Sequence, residues 1–465
     1  MRKVNTIQIT VLALLLTLLF ALPAFSQQRW EKTYGGAGWE EGNSVQQTSD
    51  GGYIVAGFTQ PAGVFDVFLI KTDSSGETLW TKAYSRSGED QGLSVRQCFD
   101  GGYIIAGWCT DFRRCAYLIK TDTSGDTIWT RTYYGGNFRS VRQTLDSGFV
   151  AVGLTETLDE SLQVCLIKTD HLGDTLWTKA YGGIRQDFGT SVRQTQDGGY
   201  IIAGCTNSFG QGTYKFYLIK TNASGDTLWS RTFGGGRNYY AYSVQQTSDG
   251  GYIIAGFADD VGGKHDVFLI KTSSTGITLW QKAFGGLGYD EGYSVCQTSD
   301  GGYIIAGYTD SFGAGWWDVY LIKTNALGDT LWSRTYGGWD LDLGNSVQQT
   351  SDGGYIIAGW TWSFGAGNRD VYLIKTDANG NVGVETPVRP LDGSTVRPLK
   401  ATPNPFTFFA TLPGHEAERF SLYDIFGRKV GVYKGDRIGA GLSAGVYFLK
   451  PVSGDAKPFR IVKLR

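Results

Sequence analysis

Histidine is almost missing from this chain. His171, His265 and His415 are the only three, and Met1 is the only methionine. So little imidazole leaves few ways to build a histidine-based metal centre or a hydrolytic triad. Proline is scarce up to Thr386; eight of the ten lie beyond it, and residues 27–385 hold only Pro61. No segment carries apolar residues at a helical period, which argues against bundles and doubly wound α/β folds. The longest apolar run, Val11–Phe20, is too short for a comfortable membrane span. It follows Arg2 and Lys3 and precedes Ala24-Phe25-Ser26, the layout of a secretory signal with its cleavage site. The expectation is a signal peptide over residues 1–26, a mature chain from Gln27 with no transmembrane span, and export from the cytoplasm. No cysteine follows the cut, so a lipid anchor is not expected.

Positive charge is also lacking where a nucleic acid would need it. Residues 386–465 carry 13 Lys/Arg against 6 Asp/Glu, a net of +7. With the +2 of residues 1–26 set aside, residues 27–385 hold −11 of the overall −2. An acidic body repels phosphate backbones, which excludes nucleic acid as the expected partner. Charge and proline content change together near residue 385, and a domain boundary is placed there.

What is abundant is glycine, 67 residues in 465, roughly twice the usual ~7 %. It falls at regular intervals because the chain repeats. The segment "SVQQTSDGGYIIAG" at Ser243 returns with small changes at Ser44, Ser94, Ser140, Ser191, Ser294 and Ser346. The unit is about 50 residues long and occurs seven times. Within it four short alternating or apolar runs are separated by turn residues, with Asp-Gly-Gly as the clearest hairpin signal. Four strands per unit, here named a to d from the channel outward, predict an all-β chain with a seven-bladed β-propeller over residues 27–384. A parallel β-solenoid is the rival architecture.

Strand d carries a Trp four residues after a Gly: Gly76–Trp80, Gly125–Trp129, Gly173–Trp177, Gly225–Trp229, Gly276–Trp280 and Gly328–Trp332. The seventh unit has Val384 at that place, and a spare Trp30 precedes the first strand a. The spare N-terminal strand is therefore expected to complete the last blade and close the ring. The "KTDSSGETLW" pattern resembles the tryptophan-docking repeat of pyrroloquinoline-quinone-type propellers and of secreted bacterial propellers. That resemblance implies Trp side chains wedged between blades.

Residues 385–399 read as an extended linker. After it, "TPNPF" (Thr402–Phe406), "RFSLYDIFGRKV" (Arg419–Val430) and "GLSAGVYFLK" (Gly441–Lys450) are short strands with Gly turns. They predict a small immunoglobulin-like β-sandwich over residues 400–465. The order of the three motifs resembles the C-terminal sorting domain of type IX secretion cargo, type A. It implies delivery through the periplasm to the outer-membrane surface or beyond, with the type IX machinery as a partner. An adhesive or structural immunoglobulin-like domain is the alternative.

A residue that recurs in every blade serves the blade, so the repeated Gln (Gln47 to Gln349), Lys (Lys71 to Lys375) and turn Asp (Asp50 to Asp352) are read as structural. Function is sought where copies differ, in the b–c and d–a loops, which share one face. There stand Trp39, Phe112, Tyr239, Tyr240, Trp316, Trp317, Trp339, Trp362 and Phe364. Of these Trp316, Trp317, Trp339, Trp362, Tyr239 and Tyr240 are the candidate binding residues for a glycan or a protein. Four residues before the Ser of strand a come Glu40, Asp90, Asp187, Asp290 and Asp342. They are expected around one end of the channel, either capping loop amides or holding a hard cation such as calcium; no other cofactor is expected. Cys109 and Cys115, at the two ends of one b–c loop, are the expected disulfide. The reading is a monomeric, non-catalytic binding module. The rival is a secreted hydrolase or quinone-dependent oxidoreductase with its site at the channel mouth.

Overall fold

The computed structural model describes residues 29–383, apart from short loop stretches at 61–62, 86–87, 111–113, 157–160, 210–211 and 260–261, and parts of 410–463. The signal segment, the linker, the Pro-Asn-Pro-Phe segment and Phe112 lie outside the described residues. The chain divides between Val384 and Glu385 into two compact units.

The first unit is a seven-bladed propeller, each blade a four-stranded antiparallel sheet. Blade 1 runs Glu40–Gln47 (a), Tyr53–Thr59 (b), Asp66–Thr72 (c) and Thr78–Tyr84 (d). Strands a of blades 2 to 7 are Asp90–Gln97, Gly136–Gln143, Asp187–Gln194, Tyr239–Gln246, Asp290–Gln297 and Asp342–Gln349. Blade 7 has strands b (Tyr355–Thr361) and c (Asp370–Thr376), and its outer strand is Trp30–Tyr34 from the other end of the unit. The closing strand pairs antiparallel from Trp30↔Lys375 to Tyr34↔Val371. Strands b are near-continuous apolar runs buried on both faces, as in "YIIAGYT" of blade 6. Each is sandwiched between two neighbouring blades.

The repeated residues show why the unit repeats. In the a–b turn, Asp50 accepts from the Gly52 N–H (3.0 Å) and the Thr48 hydroxyl. Buried Lys71 then places its ammonium 2.8 Å from Asp50 and 2.9 Å from the Thr72 carbonyl. Gly52 has no room for a Cβ, since Lys71 Nζ and the Thr72 carbonyl occupy that space. The same Lys–Asp pair recurs in all seven blades. The repeated Gln ties each a–b turn to the next blade: Gln97 Oε1 accepts from Ser49 N, and the series closes with Gln47 accepting from Ser351 N.

Each strand-d Trp lies between two blades. Trp80 sits where a Cβ on Gly125 of the next blade would be, and meets Tyr103 edge-on at 5.9 Å. Trp30 does the same to Gly76 and Tyr53 of blade 1. That Gly is required twice over, by φ +79 at Gly76 and by the indole against it. An edge-on aromatic pair adds ~0.5–1.5 kcal/mol beyond its burial.

In the second unit, strands Arg419–Asp424, Lys429–Lys434, Gly445–Pro451 and Phe459–Lys463 form one four-stranded antiparallel sheet. Its core includes Phe420, Leu422, Leu449 and Ile461. The second layer of the expected sandwich is not among the described residues.

Candidate functional site

The b–c and d–a loops are stitched to each other. Asp342 N donates to the Trp317 carbonyl, Glu40 N to the Arg369 carbonyl and Trp362 N to the Leu341 carbonyl, each at 2.8 Å. The two loop sets therefore build one continuous face, and its content differs from blade to blade.

Aromatic rings run across this face from blade 4 to blade 1. Phe188 stacks near Tyr214 (5.8 Å), Tyr214 meets Tyr240 (4.9 Å), and Tyr240 stacks on Phe257 (4.9 Å). Tyr242 joins Phe257 to Tyr293, which leads to Tyr308 and then Trp317 at 4.7 Å. Tyr308, Leu343 and Trp360 form one small buried cluster across blades 6 and 7. Beyond it the Arg369 guanidinium lies 4.0 Å from the Trp360 ring, 5.0 Å from Trp39 and 5.4 Å from Trp362. Glu41 is its ion-pair partner. A cation held by three indoles and a carboxylate stiffens this end of the band.

The candidate residues do not all face solvent. Trp316 is 77 % exposed and Trp339 70 %, while Trp39 and Trp362 are each 37 % exposed. Trp317 instead packs on Tyr308, and Phe364 packs on Tyr372. Tyr239 is turned into the junction of blades 4 and 5, against Phe216 and Phe268. Tyr240 belongs to the ring band. Two apolar tips not singled out in the sequence also protrude: Ile184 and Leu287, both in d–a loops at the place Trp339 holds. Their signal was the third position after strand d, where a loop has no structural need for an apolar side chain.

The five carboxylates Glu40, Asp90, Asp187, Asp290 and Asp342 are buried. Asp187 accepts from Gly183 N and the Ser208 hydroxyl, and Asp290 from Gly286 N and the Ser311 hydroxyl. Asp342 accepts from Gly338 N and the hydroxyls of Ser363 and Thr361. Glu40 accepts from Gly36 N and the Thr59 hydroxyl. Through these bonds Glu40, Asp187, Asp290 and Asp342 hold the d–a loops. Among the described residues no group of three or more His, Cys, Asp or Glu is arranged to hold a metal ion.

One neighbour of this set titrates in an unusual range. Asp318, at the start of a strand c, faces Asp342 across Gly337. It accepts from Ala314 N (2.9 Å) and Gly315 N (3.0 Å). Burial, with the Asp342 charge adding, pushes its carboxyl up to about 7. The folded chain therefore holds a proton that an unfolded Asp releases near ~4. Stability from this group is present at low pH and lost as pH rises from about 4 to 7. The expected result is a higher urea midpoint at pH 5 than at pH 8, with a flatter profile in Asp318→Asn. An unchanged slope in that variant would assign the pH dependence elsewhere.

His265 stacks on Phe257 at 4.2 Å. Its Nδ1 lies 2.8 Å from Glu291 Oε1, and its Nε2 is 3.6 Å from Asp259. Glu291 also accepts from the Tyr308 hydroxyl (3.0 Å). This set ties blade 5 to blade 6. Cys109 and Cys115, register partners in blade 2, are disulfide-bonded with Cα atoms 5.1 Å apart.

No protein-family model matches the chain, and no curated protein does. Solved structures do. The WD40 β-propeller domain of Doa1 aligns over 76 % of this chain and 97 % of its own, at 15 % identity and a TM-score of 0.48. The WD40 domain of Neurospora crassa Pan2 aligns over 77 % and 99 %, at 11 % identity and 0.46. Chaetomium thermophilum Sqt1, solved bound to the N-terminus of ribosomal protein L10, aligns over 70 % and 86 %, at 10 % identity and 0.42. These likenesses assign no activity to this chain.

Proposed function

We propose that this chain is a secreted or cell-surface propeller acting as a non-catalytic binding module, its variable loop face engaging a glycan or a protein. The observation that carries the reading is the contrast between two faces. The a–b and c–d turns are near copies of one another. The opposite face presents Trp316, Trp339, Ile184 and Leu287 well exposed above a stiff aromatic band. Large rigid rings that stand in water lose little on ordering and dominate recognition energy when covered. Export by a type IX system belongs to the same proposal. It is supported by the order of motifs after Thr402 and by the segment before Gln27.

The test is a glycan-array and protein-capture screen with the mature chain, repeated with Trp316→Ala and Trp339→Ala. Affinity for the ligand found is expected to fall by about 2 kcal/mol per ring at a central contact, with the melting temperature unchanged. Trp317→Ala serves as the contrast, since that ring packs on Tyr308 and its loss should lower stability. Equal affinity in all three variants would place the binding surface elsewhere.

A further inference from the structure

The repeat breaks at one more slot, and this one is not in a loop. Two residues after its Ser, strand a carries Gln46, Gln245 and Gln348 in blades 1, 5 and 7 and Cys296 in blade 6. Blades 2, 3 and 4 carry Arg96, Arg142 and Arg193 instead. Strand a is the innermost strand of each blade, so this slot rings the channel, toward the a–b turn side.

Where the slot holds Gln, it is an acceptor for the next blade. Gln46 Oε1 takes Gln97 N, Gln245 Oε1 takes Gln297 N and Gln348 Oε1 takes Gln47 N, each at 2.8 Å. The Cys296 sulfur takes Gln349 N in the same way. Arginine has donors only and cannot fill that role. The substitution thus gives up the Gln acceptor three times in succession; Arg96 and Arg193 regain one contact across a blade boundary as donors, and Arg142 bonds only within its own strand.

The guanidiniums find only partial satisfaction. Arg96 Nη1 donates to the Val95 carbonyl (2.6 Å) and the Ser44 hydroxyl (3.2 Å). Arg142 Nη1 donates to the Val141 carbonyl (2.9 Å), and Arg193 Nε to the Val244 carbonyl (3.3 Å). Arg142 Nε is buried with no partner. No carboxylate pairs with any of the three among the described residues. The acids nearest in the repeat are committed: Glu41 to Arg369, Glu291 to His265 and Tyr308, and the turn Asp residues to the strand-c Lys.

The charges of this set reach Arg96 and Arg142. Burial, and then the charge of Arg193, pushes Arg96 down to about 9; Arg142 is pushed down by burial, Arg193 and Arg96. The three arginines stand at one slot of the innermost strand in three consecutive blades, and Arg142 lies between the other two along the channel wall. A guanidinium keeps its proton under such pressure. Three positive charges without a carboxylate partner among the described residues thus line one side of the channel in a body of net −11.

We propose that the central channel is a binding site for a small multivalent oxyanion, held by Arg96, Arg142 and Arg193. Planar forks from three consecutive blades suit the several oxygens of a phosphate or a polycarboxylate, and charge-assisted bonds there replace mutual repulsion with attraction. The site is separate from the loop face and does not rest on the reading given to it.

Isothermal titration of the whole mature chain with pyrophosphate and, in a parallel arm, citrate tests this, with sodium chloride at matched ionic strength as the control. Saturable binding is expected in at least one arm, and the stronger arm tells phosphate from carboxylate chemistry. The variants are Arg142→Gln alone and Arg96→Gln/Arg142→Gln/Arg193→Gln together, which restore a residue the repeat already uses at this slot. Arg142→Gln should weaken binding about tenfold and the triple variant should abolish it. Without ligand, the triple variant should melt no lower than wild type. Absence of saturable binding in both arms to wild type, or unaltered binding in Arg142→Gln, would overturn the proposal. The single variant keeps the test decisive even if the triple does not fold.

Discussion

Deleting residues 29–34 is expected to destroy the cooperative fold of the propeller, although it removes one short strand out of a large ring. Among the described residues no other strand pairs with the outer edge of blade 7. The deleted strand covers Asp370–Thr376, which is buried along its whole length. Without it the buried face and the unpaired edge of that strand meet water, an invitation to aggregate. The link between the last blade and the first also runs through this segment. Trp30 is 8 % exposed and packs on Gly76 and Tyr53 of blade 1, and its Nε1 donates to the Ser74 carbonyl. The Tyr34 hydroxyl donates to the Gly76 carbonyl (2.7 Å), and Lys32 pairs with Glu77 (2.6 Å). Loss of one such Trp costs ~3–5 kcal/mol, against total stabilities of ~5–15 kcal/mol. Thermal unfolding followed by circular dichroism, with gel filtration for the oligomeric state, reads the result. Trp30→Ala should give the intermediate case, a lower but still cooperative transition. A truncated chain that melts with the full-length protein would show that the ring holds without its clasp.

That clasp could be read from the sequence because it is an imbalance: one strand-d Trp too many at the start and one too few at the end. The blade pattern was legible for a related reason. Thr-x-Asp-Gly-Gly (Cys-x-Asp-Gly-Gly in blade 2, Thr-x-Asp-Ser-Gly in blade 3), the strand-c Lys and the Gly–Trp spacing are local signals for contacts that recur around the ring. The loop face was less legible because its contacts join residues from different copies. Tyr242, Tyr293 and Tyr308 meet across blades 5 and 6, and Arg369 reaches Trp39 from the far end of the unit. Nothing local in their neighbourhoods announces this. Tyr239 and Tyr240 looked equivalent, yet one enters a blade junction and the other joins the ring band. Strand a carries a register shift before its Ser in every blade, between Ala241 and Ser243 in this one, so simple alternation does not tell which side chain faces which neighbour. The channel arginines were visible as "SVRQ" where the other copies have "SVQQ" or "SVCQ". They lie in a strand, outside the loops where the copies differ most.

The Lys–Asp pair beneath each a–b turn has an asymmetry that separates structure from charge. In blade 5, Lys271 is 3 % exposed, whereas the Asp249 side chain is 57 % exposed. Asp249→Ala strands an ammonium in the interior with only the Thr272 carbonyl left (2.9 Å). It also strips the Gly251 N–H and the Thr247 hydroxyl of their acceptor. Breaking a buried pair from the solvent-facing side should cost ~2–4 kcal/mol, the lower part of the usual range, because water can reach the ammonium once the carboxylate is gone. Lys271→Met should cost less, ~1 kcal/mol, because its carboxylate can hydrate where it stands and the methionine fills the buried stem. The double variant should then be more stable than Asp249→Ala alone, since the uncompensated charge is gone. Urea unfolding of the three variants and wild type completes the cycle. If Lys271→Met proves the more damaging, the ammonium's bond to the Thr272 carbonyl, and not its pairing with Asp249, is what holds the turn against strand c. The same test would then apply to the Lys slot in every blade.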